Sequence, residues 1–429
     1  MYQSGHATRT IYNYNAVDWG YYCYQISQQL RNNPNVYMFG VSVDARYQAL
    51  CRCILKAAEL AIPSKVITLH QRDKPWFTES LRCLYRRRNR LYRTYKHTQN
   101  TKHNALYRSA SKIFFTQCED EKKAYFAKLN NIQVNNKNWW KLLKASMGRR
   151  ATVNIPSLLN PQSQWVHDNL GKANLMNSYF ASVCFMSSID ENRTFNYPLH
   201  TSTISIENIS VSDSDIDKII GGISTSKACS PGITCGMLRE AKLFITDSLR
   251  SICQQSLDDG VFPSSLKIGH VTSLYKSKEH WLSCNYRPMT LLPIMSKVFE
   301  RIVFRAVYTH LVKNNLLNMM QSGFRKYHST VTQLIEFVHN IYRDLENGDD
   351  CIAVYLDFSK ALDKVWHSAF LNKLEKKGIR GALLQWFRSY LSDRSIITVV
   401  NGQTSKPAKI NRGVPQCSVL GPLLFFDIH

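Results

Sequence analysis

The stretch Cys351-Ile-Ala-Val-Tyr-Leu-Asp357 is a short apolar run, rich in strand formers, that ends in a carboxylate. That pattern predicts a buried strand delivering an acid to a cleft. Phe358-Ser-Lys-Ala-Leu-Asp363 follows, then a helix through Val365, Phe370 and Leu374 that Gly378 stops. Taken alone, an Asp at a strand end is as readily the cap of the next helix, so the surroundings decide. A second helix is expected over 383–391, then the strand Ile396-Ile-Thr-Val-Val400, the turn Asn401-Gly402 and a return strand over 403–410. Asn-Gly between two strand-like runs is a strong hairpin signal, because both residues tolerate the positive φ that a tight turn demands. Gly413-Val-Pro-Gln-Cys417 then turns the chain into Val419-Leu-Gly-Pro-Leu-Leu-Phe-Phe426. Strand, helix pair, hairpin and glycine turn, in that order, predict an α+β domain whose sheet floor carries acids.

Four strings now make a family resemblance. LDFSKALDKVWH (Leu356 to His367) and GVPQCSVLGPLLF (Gly413 to Phe425) are similar to successive palm motifs of non-LTR retrotransposon reverse transcriptases. NYRPMTLLPIMSKVFERIV (Asn285 to Val303) resembles the fingers motif of the same family, and QSGFRKYHST (Gln321 to Thr330) the segment between. Single strings of this kind match by chance; four in the family's order do not. Jockey-like elements resemble the chain best. Lys227-Ala-Cys-Ser-Pro231 and Phe262-Pro263 extend the likeness weakly towards Val211. The resemblance implies a partial right-hand polymerase over 211–429, comprising fingers and the first half of the palm and firm from about Phe262. A polar connector (146–210) and a basic helical linker region (1–145) precede it, and the family's endonuclease is absent.

The same resemblance implies RNA-directed DNA synthesis from dNTPs on an RNA template and DNA primer, with Mg²⁺ as cofactor. Such chemistry needs two divalent cations, about 3.5–4 Å apart, held by hard oxygen ligands. Asp357 would be the first metal-binding, catalytic Asp, helped by the backbone at Phe358, and Asp363 would be structural. Arg287 would pair with the incoming triphosphate, a task suited to a bidentate guanidinium. Lys276 either assists it or is a solvated fingers lysine. Leu362 and Gln416 would line the nucleotide pocket, and Arg325 and Lys326 would sit near template phosphates.

The departures from the family pattern carry their own expectations. Cys417 stands where the family has Gly, Leu362 where it has the aromatic that floors the deoxyribose pocket. Ser230, Gly232 and Ser273 replace a Gly, an Asp and a Pro. The family's next hairpin, Tyr/Phe-x-Asp-Asp, is not reached by His429, and Asp427 is not its equivalent. A truncated, decayed copy, inactive as a polymerase, is therefore expected. The alternative is a non-catalytic RNA- or DNA-binding remnant. An intron maturase-like enzyme is disfavoured by the GVPQ and LGPLLF wording and by the basic linker.

Composition supports a polyanion partner independently of any likeness. The 429 residues carry a net charge of +24. Residues 82–150 hold 18 Lys and Arg against Glu119, Asp120 and Glu121, a net of +15. Two long amphipathic helices are expected there, one carrying Leu81, Leu84, Tyr85, Leu91, Tyr92 and Tyr95 at helical spacing and the other over about 103–129. With Arg86, Arg87, Arg88 and Arg90 on phosphates they make a nucleic-acid-binding hairpin; Trp139-Trp140 read as core. An earlier helix is expected over Ala45–Ala61, ended by Pro63, and another capped by Ser212 and broken at Gly221-Gly222. The first forty residues, rich in Tyr and Asn, show no sustained period. The 12 cysteines are scattered, with no secretory signal, which predicts a reducing intracellular compartment, nucleus or cytoplasm, and no disulfide or zinc framework. No apolar run approaches the roughly 20 residues of a membrane helix.

Overall fold

The computed structural model describes residues 8–38, 40–68, 76–127, 139–140, 143, 155–185, 202–225, 227–318 and 320–426. Asp427 and most of 128–154, with their basic residues, lie outside the described residues. Strand β1 (Thr8–Tyr12) precedes helix α1 (Trp19–Arg31) and helix α2 (Val43–Ala61), and strand β2 (Ser64–Thr68) follows. Helices α3 (Glu79–Thr98) and α4 (Thr101–Ala127) come next. Two compact units result, one from 1–9 with 66–154, the other from 10–65 with 155–429. Residues 10–65 pack with the C-terminal part: Arg46 donates to Gln255 Oε1 (2.7 Å) and Ser251 Oγ (2.8 Å), and Tyr47 meets Phe299 edge-on.

The first unit is the expected helical hairpin. Thr78 caps α3 through the Leu81 amide, and Gln99, in the left-handed region at φ 50°, turns the chain into α4. An aromatic seam zips the two helices: Tyr85 against Phe114, Tyr92 against Tyr107, and Tyr95 stacked on Tyr107. Such pairs add about 0.5–1.5 kcal/mol beyond the area they bury. Trp139 and Trp140 meet edge-on, but Trp140 is 46% exposed, so the core reading fails for it.

In the second unit, α1 and α2 cover a large core. Tyr22, Ile26, Leu50, Ile54, Ala57 and Ala58 are buried as their spacing requires. Helix α1 has no counterpart in the sequence reading. Its buried face rests on tyrosine and isoleucine among polar neighbours, a weak apolar period. Strands β3 (Leu158–Leu159) and β4 (Trp165–Val166) and helix α5 (Asn169–Val183) follow. Then come α6 (Asp213–Gly221), capped reciprocally by Ser212 and Asp215, α7 (Cys235–Glu240) and α8 (Lys242–Asp258). Strands β5 (Ile268–Tyr275) and β6 (Tyr286–Leu291) form a hairpin that leads into α9 (Ile294–Lys313) and α10 (Thr330–Glu346). Helices α11 (His367–Lys376) and α12 (Gly381–Leu391) pair on the core, where Trp386 stacks on Tyr390 and meets Phe262 edge-on.

The sheet runs β6-β5-β7-β8, with β7 (Arg394–Val400) parallel to β5 and antiparallel to β8 (Gln403–Thr404) and β9 (Ala408–Ile410). The turn is as expected: Asn401 and Gly402 have φ of 49° and 85°. The segment 155–184 is more than a connector. Asn177 of α5 donates to Ile396 O (3.2 Å) and Lys406 O (2.9 Å) and accepts from Thr398 Oγ1 (2.9 Å). That amide satisfies the backbone where β7 changes partner from β8 to β9.

One expectation is overturned. Residues 351–358 form no strand and are exposed throughout, with Tyr355 80% and Leu356 83% accessible. Helix α10 has no buried residue, and its apolar side chains Leu334, Ile335 and Tyr342 are more than 60% exposed. A lone β-prone run gains nothing from extension unless another strand pairs with it, and among the described residues none does. A short helix α13 (Gly421–Phe426) ends the described chain.

Candidate functional site

The two stretches that carry the palm resemblance meet. Lys360 takes the left-handed conformation (φ 57°) and a 3-10 turn over Ala361–Lys364 follows. Against this turn lies the loop from Gly413. The Gly413 amide donates to Val365 O (2.8 Å) and the Val414 amide to Leu362 O (2.8 Å). A Cβ at position 413 would stand 2.6 Å from Asp363 O, and φ there is 82°, so only glycine permits the approach. His367 Nε2 donates to Gly413 O (2.7 Å). Burial pushes the His367 pKa down to about 4, leaving a neutral ring with the proton on Nε2. Gln416 Nε2 donates to Asp363 Oδ1 (2.8 Å). Burial raises the Asp363 pKa, and the Gln416 bond opposes the shift.

A narrow cleft opens between this clamp and the sheet, lined among others by Pro288, Thr290, Asp363, Arg394, Arg412 and Gln416. Of the expected pocket residues, Gln416 lies in the cleft and Leu362 is half-buried directly behind the loop. Cys417 is exposed at φ 70°. A left-handed residue with a Cβ costs about 1–2 kcal/mol, which fits the expectation that glycine belongs there.

Other candidates are not gathered here. Arg287 is exposed on β6, and alternation along the strand turns it away from the face that Pro288 and Thr290 give to the cleft. It stands opposite Leu274, and the Lys276 amide bonds to Asn285 O (2.9 Å), so the alternating pleat sets both cations on the same side of the β5–β6 hairpin. Asp357 is solvent-exposed in the segment 351–358, which forms no strand. Arg325 turns inward to the carbonyls of Asn318 (3.2 Å) and Gln321 (3.3 Å), while Lys326 is exposed. Among the described residues no group of three or more His, Cys, Asp or Glu could hold a metal ion. With Asp357 exposed and Asp363 engaged by Gln416, these residues do not fit a two-cation site.

Sequence reading missed Glu300, Arg394 and Arg412. Glu300, on α9, is fully buried. Its Oε1 accepts from Ser296 Oγ (2.7 Å) and its Oε2 from the Val419 amide (2.5 Å). Burial raises its pKa against those bonds and the nearby Arg394 charge. The signal was present: Ser296, Glu300, Val303 and Val307 share one helical stripe, and a lone carboxylate on an apolar stripe needs partners.

On the hairpin, Arg86, Arg87 and Arg90 are exposed, with Arg86 3.6 Å from Glu79 at the surface. Arg88 differs. Its guanidinium lies 5.1 Å from the Tyr85 ring centre and 5.2 Å from that of Phe114, and it donates to Asn89 Oδ1. It is part of the seam, in cation–π contact with both rings.

Comparison with known proteins agrees with the geometry. Residues 276–427 match the family described as reverse transcriptase (RNA-dependent DNA polymerase). The chain is 28% identical, over 71% of its length and 34% of the relative's, to a probable RNA-directed DNA polymerase from transposon X-element of Drosophila melanogaster. It is 24% identical over 90% of its length, and 43% of the relative's, to the RNA-directed DNA polymerase from mobile element jockey of the same species. A probable RNA-directed DNA polymerase from transposon BS, also of Drosophila melanogaster, is 34% identical over 38% of the chain and 18% of the relative. The chain thus spans less than half the length of these relatives. No helix among the described residues is long and apolar enough to cross a membrane. Residues 276–427 are a reverse transcriptase domain of the non-LTR retrotransposon RNA-directed DNA polymerase family, jockey-like in type.

Proposed function

We propose that this chain supplies the fingers and first half of the palm of an RNA-directed DNA polymerase, with the Gly413–Ser418 loop as wall of its nucleotide pocket. The observation that carries the reading is the clamp of that loop on Leu362–His367, which joins two separate palm motifs into one cleft. The partners are then an RNA template, a DNA primer and dNTPs. In this reading Gln416, held by Asp363, presents a fixed edge to the nucleotide, and the backbone at Cys417 faces the sugar and base. Lys326 and the exposed arginines of the α3–α4 hairpin meet phosphates without reading sequence. Asp357 brings one palm carboxylate.

Cys417 is a reporter built into the loop, exposed and free. Alkylation of the whole chain with N-ethylmaleimide, followed by peptide mass spectrometry, should show Cys417 slowed several-fold by millimolar dNTP. Exposed Cys83 and Cys284 should react at unchanged rates. Equal slowing at all three, or none at Cys417, contradicts the pocket.

A further inference from the structure

The loop is held at both ends, and its second anchor comes from a distant part of the chain. At the first end the Gly413 and Val414 amides are bonded to Val365 and Leu362. At the second, Ser418 Oγ accepts from the Gly421 amide (2.8 Å) and the Ser418 amide donates to Pro415 O (3.1 Å), closing the turn into α13. The Val419 amide has no such local partner. It donates to Glu300 Oε2, 119 residues earlier in the chain. Arg394, 2% exposed, supplies the nearby positive charge and is itself fixed by a bond to Tyr390 O (2.8 Å) and by lying over the Tyr390 ring.

A buried carboxylate is costly unless fully engaged, and removing its partners leaves either a bare charge or bare amides. Here Ser296 Oγ engages one carboxylate oxygen and the loop's Val419 amide the other, so Glu300 and that loop order one another. The residues left between the two anchors are Pro415, Gln416, Cys417 and Ser418. Of these, Pro415 and Gln416 line the cleft, and Cys417 stands exposed beside them.

We propose that Glu300 is the positioning residue of the nucleotide pocket: through the amide of Val419 it fixes the far end of the Gly413–Ser418 loop. The inference rests on the reading of that loop as a nucleotide wall. Glu300 touches no substrate; it acts through the backbone that carries Gln416 and Cys417.

The test uses the whole chain with two substitutions of near-equal volume. Glu300→Gln keeps a carbonyl for the Val419 amide and offers its NH₂ to Ser296 Oγ. Glu300→Met removes every acceptor without opening a large cavity. Amide exchange and Cys417 alkylation with and without dNTP are then measured. In Glu300→Met, amides 418–421 should exchange about tenfold faster or more, the scale of a missing bond to a charged group. Exchange in α8 and α12 should stay unchanged, and dNTP protection of Cys417 should require about tenfold more nucleotide. Glu300→Gln should remain within about threefold of wild type in both readouts, a rescue that bulk destabilisation would not give. If Glu300→Met loses protection throughout the core, Ser296→Ala is read in its place. Faster exchange confined to 418–421 then supports the role, and unchanged exchange overturns it. Protection that is present in wild type and equal in Glu300→Met overturns the positioning role alone. No protection in wild type overturns the nucleotide reading, and the role with it.

Discussion

Acidification from pH 6.5 to pH 4 is expected to cost the second unit about 3 kcal/mol through His367 alone. The ring is buried, and its pKa falls from 6.5 to about 4 because a charged imidazolium would lose its hydration. The sign follows from proton counting. Between those pH values the unfolded chain holds a proton on His367 that the folded chain does not, so stability falls as pH falls and is fully present above 6.5. Glu300 and Asp363, both raised by burial, work in the opposite sense nearer the carboxylate range. The substitution that isolates the histidine is His367→Gln, whose side-chain amide keeps a donor for Gly413 O and does not titrate. Exchange of the most protected α9 and α12 amides, followed across this pH range, should show wild type losing about 3 kcal/mol more than His367→Gln. Parallel curves would mean that His367 is already protonated in the fold and that the clamp on Gly413 is not what the ring maintains.

The second large effect concerns the hairpin. Replacing Arg86, Arg87 and Arg90 together with Gln should weaken binding of single-stranded RNA by the whole chain, measured by fluorescence anisotropy. It should also make the slope of log K against log salt shallower by roughly two units, about 0.7 for each phosphate no longer neutralised. Gln is a good helix former, so α3 should survive. Arg88→Gln should behave differently. It removes the cation from between Tyr85 and Phe114 and should loosen the hairpin, with the salt slope nearly unchanged. A slope that responds to Arg88 but not to the other three would place the phosphate path on the seam, against the exposure of Arg86, Arg87 and Arg90.

Much of the fold was legible because local chemistry decided it. Ser212 and Asp215 cap α6 reciprocally, Asn401-Gly402 makes the expected turn, and α2 and α12 follow their apolar stripes. What was not legible depends on partners far away in sequence. The run Cys351–Asp357 has the composition of a buried strand, yet composition does not supply the neighbour that would pair with it, and it lies exposed. Asn177 reads as an ordinary helix residue until Ile396, Thr398 and Lys406 are placed around it. Arg88 looks like one more basic residue in a basic helix, and only the facing Phe114 shows its ring contact. At the site, the meeting of Leu362–His367 with Gly413–Gln416 followed from family likeness, whereas Glu300 could have been singled out on physical grounds alone.

In the proposed pocket, the Gly413–Ser418 loop, clamped on Asp363 and His367, forms the wall against the nucleotide. Photolabelling the whole chain with a photoreactive deoxyuridine triphosphate, and mapping the adducts by mass spectrometry, tests it most directly. Label is expected on the peptide containing Gln416 and Cys417, competed by unlabelled dNTP and reduced by Glu300→Met. Label confined to the basic α3–α4 hairpin, or label on the loop that unlabelled dNTP does not compete, would contradict it.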